Sequence, residues 1–204
     1  MDTDSNPEPL PVIVAETGEP VFSEEQKQTL LQLALVSIEH GLRFGEAHPV
    51  NAAEYPPELQ TWRAVFVTLK MVGQLRGCVG TLEATRPLVC NVGKYAYLSA
   101  FSDPRFPELT WTEFSATQIQ LSILNPPEPL RFQSEEDLLA QLRPGIDGLV
   151  LEDGPHHGTL LPSVWEHVDG KKHYWQQLKR KAGLPPRYWS STLTVQRYTT
   201  CCIP

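Results

Sequence analysis

Residues 75–81 read Leu-Arg-Gly-Cys-Val-Gly-Thr and place a cation, a thiol and two residues without side chains in one short run. Side chains alternate between the two faces of a strand, so Arg76, Cys78 and Gly80 would share one face. A fixed guanidinium beside a sulfur favours the thiolate, which is the form that attacks electrophiles. Gly77 and Gly80 are typical of a bulge, or of a close approach by another backbone or a ligand. This signature run therefore predicts a strand with Arg76 and Cys78 as catalytic candidates facing one cavity.

A structural interpretation of the same run stays open. Free cysteine is among the most buried residue types, so Cys78 would be a small core residue and the glycines would relieve crowding. Nucleophilic catalysis would also need a base beside Cys78, and the sequence does not identify which of the six histidines would supply it.

The segments around the signature run predict an α+β fold. Residues 62–71 alternate and Gly73 marks a turn, so the signature run is the second arm of a hairpin. Helical spacing and capping patterns predict helices over residues 23–43, 87–102, 134–142 and 171–181. Further strands are predicted over residues 117–124, 148–151, 159–161 and 192–198, with an exposed loop at 152–158. Hairpin pairing without a βαβ rhythm predicts a mainly antiparallel sheet flanked by helices, in two closely packed subdomains that share a cleft.

The loop at residues 103–107, Asp-Pro-Arg-Phe-Pro, is predicted to lie against the signature run and complete its site. A partly buried Arg76 needs a carboxylate, and Asp103 is the candidate because Pro104 holds it out of the preceding helix. Arg105 would then meet a ligand anion and Phe106 would anchor the loop in the core. The alternative is an Asp103–Arg105 staple within the loop, again with Phe106 in the core.

Charge is unevenly distributed along the 204 residues, whose net charge is −7. Residues 1–25 hold seven of the 24 acids and no Lys or Arg, which predicts a loose, acidic, proline-rich leader over residues 1–21 before a domain at 22–200. Residues 171–204 hold seven bases and no acid. This basic end could attract nucleic acid, an acidic partner or the chain's own acidic start. A solvated helix face is the favoured interpretation, so nucleic-acid binding is not predicted.

The four cysteines show neither metal-ligand spacing nor a disulfide framework. Cys201 and Cys202 lie at the tail, where order is least expected. Four histidines fall within residues 156–173 but lack the spacing of metal sites, so no metal is predicted. Because no apolar run approaches the ~20 residues of a membrane span, the sequence predicts a cytoplasmic protein.

Several motifs besides the signature run occur in a fixed order. They are Asp-Pro-Arg-Phe-Pro at 103–107, Asn-Pro-Pro-Glu-Pro at 125–129, Pro-Gly-Ile-Asp-Gly-Leu at 144–149, Gly-Thr-Leu-Leu-Pro at 158–162 and Lys-Ala-Gly-Leu at 181–184. Together with the signature run, they resemble the AMMECR domain family, whose bacterial and archaeal members are called protein A of the AmmeMemoRadiSam system. The resemblance covers roughly residues 23–198.

This resemblance implies partners, but no particular reaction or cofactor. The partners would be a radical-SAM protein and a Memo-like metalloprotein related to ring-opening dioxygenases. The predicted ligand-binding residues are Gly77 and Gly80 of the signature run, Asp103, Arg105 and Phe106 of the loop, and His157 and Thr159 at the Gly-Thr-Leu-Leu-Pro motif. Relatives often have two basic residues where this chain has His156 and His157, so an anion contact there would require a protonated histidine.

Two functions stay open from the sequence. In the first, the chain is an enzyme or enzyme component whose cleft contains Arg76, Cys78, Asp103 and Arg105. In the second, it is a non-catalytic binding or adaptor module that uses the same cleft for a peptide or a small acidic ligand. Reactivity of the Cys78 thiol would distinguish them, because a catalytic thiol is accessible and activated whereas a structural one is inert.

Overall fold

A computed structural model describes residues 22–204, and the predicted leader at 1–21 lies outside these described residues. The described chain contains two four-stranded antiparallel sheets with helices, so the predicted α+β fold is confirmed. It divides into two compact units. The first unit runs to Leu124 and includes Cys201–Pro204, and the second is Asn125–Thr200. The predicted cleft shared by two subdomains stays a prediction.

The described part of the first unit contains a sheet in the order β2-β1-β3-β8 and three α-helices. Its elements are α1 (Glu24–Phe44), β1 (Val65–Met71), β2 (Gln74–Gly80), α2 (Leu88–Phe101), α3 (Trp111–Phe114), β3 (Thr117–Leu124) and β8 (Thr200–Ile203), with 3-10 turns at Ala52–Glu54 and Pro57–Gln60. The predicted capping box of α1 is present, since the Ser23 hydroxyl accepts from the Gln26 N–H and the Gln26 side chain accepts from the Ser23 N–H.

The core of the first unit lies on one face of this sheet. β1 alternates as expected, with Val65, Val67 and Leu69 fully buried and the residues between them half-buried. The buried faces of α1 and α2, among them Leu30 and Val92, belong to the same apolar cluster. Burial of such side chains is the main favourable contribution to folding. The opposite sheet face, with Thr68 on β1, lies outside this core.

The second unit contains a sheet in the order β4-β7-β5-β6 and two α-helices. Its elements are β4 (Glu128–Pro129), α4 (Glu135–Gln141), β5 (Gly148–Asp153), β6 (His156–Leu160), a 3-10 helix (Pro162–His167), α5 (Gly170–Lys181) and β7 (Thr194–Tyr198). Its core combines leucines with three buried aromatic residues. Trp175 is fully buried, and the rings of Trp165 and Tyr174 stack with 3.8 Å between centroids.

Two local predictions are wrong. The exposed loop predicted at residues 152–158 is mostly strand, because β5 and β6 continue to a tight turn at Gly154, whose φ is 57°. The tail at Cys201 and Cys202 is ordered, because it forms β8 and places the buried Ile203 in the first core.

No helix within residues 22–204 is long and apolar enough to cross a membrane.

Candidate functional site

The signature run lies on β2, the edge strand of the first sheet, as the second arm of the predicted hairpin. Thr68 of β1 is opposite Cys78, and Leu69 is opposite Gly77. The register then shifts, because Lys70 is opposite Leu75, and Arg76 is left as the extra residue of a bulge. A bulge interrupts the alternation of side chains, so the argument that placed Arg76 and Cys78 on one face does not hold at Arg76.

Two glycines of the signature run are required by close packing. A Cβ on Gly77 would collide with the backbone carbonyl of Ser99, because α2 crosses β2 at this point. A Cβ on Gly80 would collide with the Phe66 ring and with the carbonyl of Val65. The predicted bulge and close backbone approach are therefore confirmed, while a ligand-binding role for either glycine stays a prediction.

Ser99 joins α2 to the hairpin and was not identified from the sequence. Its hydroxyl accepts from the Val79 N–H at 2.9 Å and donates to the Val67 carbonyl at 2.8 Å. Ser99 is 1% exposed, so these bonds form away from water and link β1 and β2 to the helix. The sequence does not predict this role, because the hydroxyl of a serine within a helix commonly donates to a backbone carbonyl of the same helix.

Cys78 is fixed through its backbone as well as its sulfur. Its N–H donates to Asp103 Oδ2 at 2.8 Å, and its carbonyl accepts from Arg105 Nη2 at 3.1 Å. The half-buried sulfur accepts from the Thr68 hydroxyl at 3.3 Å. The loop side chains thus occupy the edge of β2 in the way that a further strand would, and they cover an otherwise open sheet edge. The predicted contact between the loop and the signature run is confirmed.

Asp103 and Arg105 form the staple that the sequence left as an alternative. Arg105 Nε donates to Asp103 Oδ1 at 2.9 Å and Arg105 Nη2 donates to Oδ2 at 2.6 Å. These bonds, helped by the Cys78 N–H, hold the pKa of the buried Asp103 carboxyl well below its usual range. The hydrogen bonds to the Asp103 carboxylate in turn raise the pKa of Arg105.

Arg76 pairs with Glu113, so the predicted pairing of Arg76 with Asp103 is wrong. Arg76 Nε donates to Glu113 Oε1 at 2.8 Å and Nη2 donates to Oε2 at 3.1 Å. Nη2 also donates to the carbonyls of Pro107 and Glu108. The Arg76 guanidinium lowers the pKa of Glu113 to about 2, with further help from hydrogen bonds donated by Thr110. The positive charge predicted to act on the thiol is therefore neutralised by a carboxylate.

Glu113 is the site residue that the sequence analysis missed. It is the third residue of α3, a helix of four residues, and forms a capping box with Thr110. Thr110 and Glu113 have the spacing of that box, which is the signal that could have located the helix.

Phe106 lies between the two arginines instead of in the core. The Arg76 and Arg105 guanidinium carbons are 5.8 Å and 5.5 Å from its ring centroid, within the range of cation–π attraction. The ring is half-buried and belongs to neither apolar core. The prediction that Phe106 anchors the loop in the core is thus wrong, because the ring packs against two charged groups.

Thr159 and His157 belong to the second unit, whereas the signature run and the covering loop belong to the first. The Thr159 hydroxyl donates to the Leu149 carbonyl at 2.8 Å and lies 3.1 Å from the Tyr198 hydroxyl, in a buried position. His157 is opposite Glu152, with 3.3 Å between His157 Nδ1 and Glu152 Oε1. These contacts give Thr159 a structural role, and ligand binding by either residue stays a prediction.

Within residues 22–204, no group of three or more His, Cys, Asp or Glu side chains is arranged to hold a metal ion.

This architecture defines an α+β protein in which an Asp-Arg staple covers the edge of an Arg-Gly-Cys strand. The chain belongs to the AMMECR1 family, whose family model matches residues 31–203. A protein of Methanothermobacter thermautotrophicus is 36% identical over 170 residues, covering 81% of this chain and 86% of its own. A Thermococcus onnurineus protein is 36% identical over 190 residues, covering 87% of this chain and 89% of its own.

The fold is also similar to a crystal structure. The uncharacterized protein PH0010 from Pyrococcus horikoshii superimposes with a TM-score of 0.81 at 33% sequence identity, covering 89% of this chain and 92% of its own.

Proposed function

We propose that this protein is a cytoplasmic ligand-binding component of a system that also contains a radical-SAM protein and a Memo-like metalloprotein. Its ligand is a small acidic molecule or an acidic peptide, bound at the first-unit site beside Cys78. The partners are those that the resemblance to the AMMECR domain family implies. The ligand class follows from the geometry of Arg105.

The observation that carries the ligand class is the fixed, solvent-facing guanidinium of Arg105. Asp103 and the Cys78 carbonyl hold its Nε and Nη2, yet 53% of the side chain is exposed. The hydrogen bonds of the Arg105 guanidinium to described residues use Nε and Nη2, so Nη1 can still donate to a ligand. A guanidinium oriented in advance loses little entropy on binding a carboxylate or phosphate.

Binding is favoured over nucleophilic catalysis by the contacts around Cys78. Glu113 neutralises Arg76, so this cation is not available to activate the thiol. Among the described residues no histidine forms a hydrogen bond with Cys78, and the sulfur's polar contact is the hydroxyl of Thr68. Nucleophilic catalysis requires an adjacent base or a thiol activated by its surroundings. We therefore assign Cys78 to the wall of the binding site.

The ligand class is tested by alkylating Cys78 with an anionic reagent, iodoacetate, and a neutral reagent, iodoacetamide. If Arg105 attracts anions to this site, Arg105→Gln should lower the iodoacetate-to-iodoacetamide rate ratio at Cys78 by up to about fivefold, as expected for an exposed ion pair of up to about 1 kcal/mol. Rates are measured by mass spectrometry of the Cys78 peptide. Arg105→Lys keeps the charge and should keep most of the preference.

Two controls make the alkylation result specific. Cys202 on β8 is exposed and reports the reagents' intrinsic ratio within the same molecule. Arg86→Gln removes another exposed arginine and should leave the ratio at Cys78 unchanged. An equal ratio at Cys78 in the wild type and in Arg105→Gln would contradict anion binding by Arg105.

The proposed partners are tested separately from the ligand. Genes for both protein types beside the gene for this chain, with co-purification of the products after co-expression, would support the system. Failure of both proteins to co-purify with this chain would contradict the partner proposal and leave the alkylation result standing.

A further inference from the structure

Three basic side chains are buried within the described residues: Arg63 at 7% exposure, Arg76 at 8% and Lys179 at 0%. Two of them have a carboxylate partner, since Arg76 pairs with Glu113 and Lys179 pairs with Glu135. The guanidinium of Arg63 makes no hydrogen bond or ion pair with any residue in the described part of the chain, and its Nη1 is completely buried. Arg63 is therefore a buried cation without a counter-charge.

Such an arrangement is unfavourable unless another group completes it. Removing a guanidinium from water costs several kcal/mol, which a partner anion normally offsets. Burial accordingly lowers the pKa of Arg63. An unsatisfied buried polar group in a native protein calls for a specific explanation, and an ion or ligand is one of the recognised explanations.

The backbone around Arg63 runs beside the first turn of α2. The Leu88 N–H donates to the Thr61 carbonyl at 2.8 Å, and the Asn91 Nδ2 donates to the Arg63 carbonyl at 2.9 Å. α2 has 14 residues and begins after Pro87, with no side-chain cap and no acidic residue in its first turn. No side chain compensates the positive end of this helix dipole, although the Leu88 N–H is bonded to the Thr61 carbonyl. The Arg63 backbone thus lies against a helix N-terminus whose first turn holds no carboxylate, and the Arg63 guanidinium itself has no carboxylate partner among the described residues.

We propose that Arg63 belongs to an oxyanion-binding site, which is completed when the phosphate or carboxylate group of a small ligand pairs with its guanidinium beside the first turn of α2. The planar fork of arginine matches both groups. The unbonded N–H groups of a helix N-terminus bind the same anions. This site does not involve Arg105, so it stands or fails independently of the proposed function.

The test compares chemical unfolding of the wild type and Arg63→Met in increasing phosphate at constant ionic strength, with acetate as the carboxylate arm and chloride as the reference. Above the dissociation constant, each tenfold increase in a bound anion should raise the wild-type folding constant about tenfold. Arg63→Met should lack this dependence. Phosphate also stabilises proteins by exclusion from their surfaces, so the measured quantity is the difference between the two variants.

Arg63→Met should also fold at least as well as the wild type without added oxyanion, because it removes an uncompensated buried charge. Arg187→Met, which replaces an exposed arginine of the second unit, should retain the wild-type response. A response to phosphate alone would assign a phosphoryl ligand, a response to acetate alone a carboxylate, and a response to both would assign a general oxyanion site.

Equal phosphate and acetate dependence in the wild type and Arg63→Met would overturn the proposal. Should Arg63→Met fail to fold, titration calorimetry of phosphate and acetate into the wild-type protein provides a second measurement. Absence of binding heat for both anions at several temperatures would then overturn the proposal. Binding that is weakened in Arg63→Lys, which keeps the charge but loses the fork, would support it.

Discussion

Replacing Glu113 with glutamine should destabilise the first unit by about 3 kcal/mol at neutral pH. The pKa of Glu113 is lowered from 4.5 to about 2, chiefly by Arg76. Each pKa unit corresponds to about 1.4 kcal/mol, so the folded state gains about 3 kcal/mol from the ionised carboxylate. The exposed fractions of the Arg76 and Glu113 side chains are 10% and 28%, so solvent screens this pair only partly. Loss of one partner from a buried pair typically costs about 3–5 kcal/mol.

The pH dependence gives this prediction a second signature. The folded-state pKa of Glu113 lies below the unfolded value, so its contribution is fully present above about pH 4.5 and is lost as pH falls towards 2. Glutamine can keep the capping bonds to Thr110, so the substitution removes mainly the charge. The difference in stability between the wild type and Glu113→Gln should therefore shrink steadily below about pH 4.5.

The assay is urea unfolding monitored by circular dichroism. Amide exchange in β1 is measured as well, because it reports the stability of the first unit separately. Glu25→Gln is the matched control: it removes an exposed carboxylate from the first turn of α1 and should change stability by less than about 0.5 kcal/mol. Equal losses for Glu113→Gln and Glu25→Gln, or a loss at Glu113 that is constant between pH 7 and pH 2.5, would refute the reasoning.

Four further substitutions test the hairpin and its covering loop. Gly77→Ala should cost at least about 3 kcal/mol in urea unfolding because its Cβ meets the backbone of α2, whereas Gly73→Ala, with open space but a φ of 76°, should cost only about 1 kcal/mol. Val72→Asn should raise stability by about 1 kcal/mol, since Val72 has a φ of 49° and Asn-Gly suits a two-residue hairpin turn; a lower melting temperature would contradict this. Asp103→Asn should accelerate amide exchange at Cys78 and cost about 2 kcal/mol, and unchanged exchange there would show that Asp103 does not protect the strand edge.

The elements predicted from the sequence are those with strong local signals. The Ser23 capping box and the apolar spacing after it fixed the start of α1, and the alternation of residues 117–124 matched β3. Such patterns indicate which side chains face the core. An apolar period that is repeated over several helical turns or strand pairs therefore predicts the type of element. Gly77 was also interpretable, because a glycine in a strand indicates a close backbone approach.

The arrangement of the site required information that periodicity does not contain. The bulge at Arg76 inserts one residue that no feature of the sequence distinguishes from a regular strand residue. Strict alternation therefore does not determine the face on which the Arg76 side chain lies. The partner of Arg76 lies 37 residues along the chain, on a helix too short to produce an apolar repeat. Asp103 was predicted to pair with Arg76, but its carboxylate pairs with Arg105, which is only two residues away in the chain.

The C-terminal strand was missed for a related reason. The residues of β8, Thr-Cys-Cys-Ile, do not alternate between polar and apolar types. These residues form a strand because they pair with β3, which is distant in the sequence. Sequence position alone suggested a frayed tail, whereas burial of Ile203 ties the strand to the core.

The position of β8 in the first sheet constrains the order in which the chain acquires its structure during synthesis. Residues 125–200 form a continuous unit, whereas the first unit needs β8 from residues 200–203 to complete its sheet. Translation proceeds at about 5–20 residues per second, so synthesis of residues 125–203 takes several seconds. Until it is finished, the edge of β3 that pairs with β8 has no partner strand. During this interval the second unit can fold, and the open edge of β3 is the surface on which a nascent chain would need protection from aggregation.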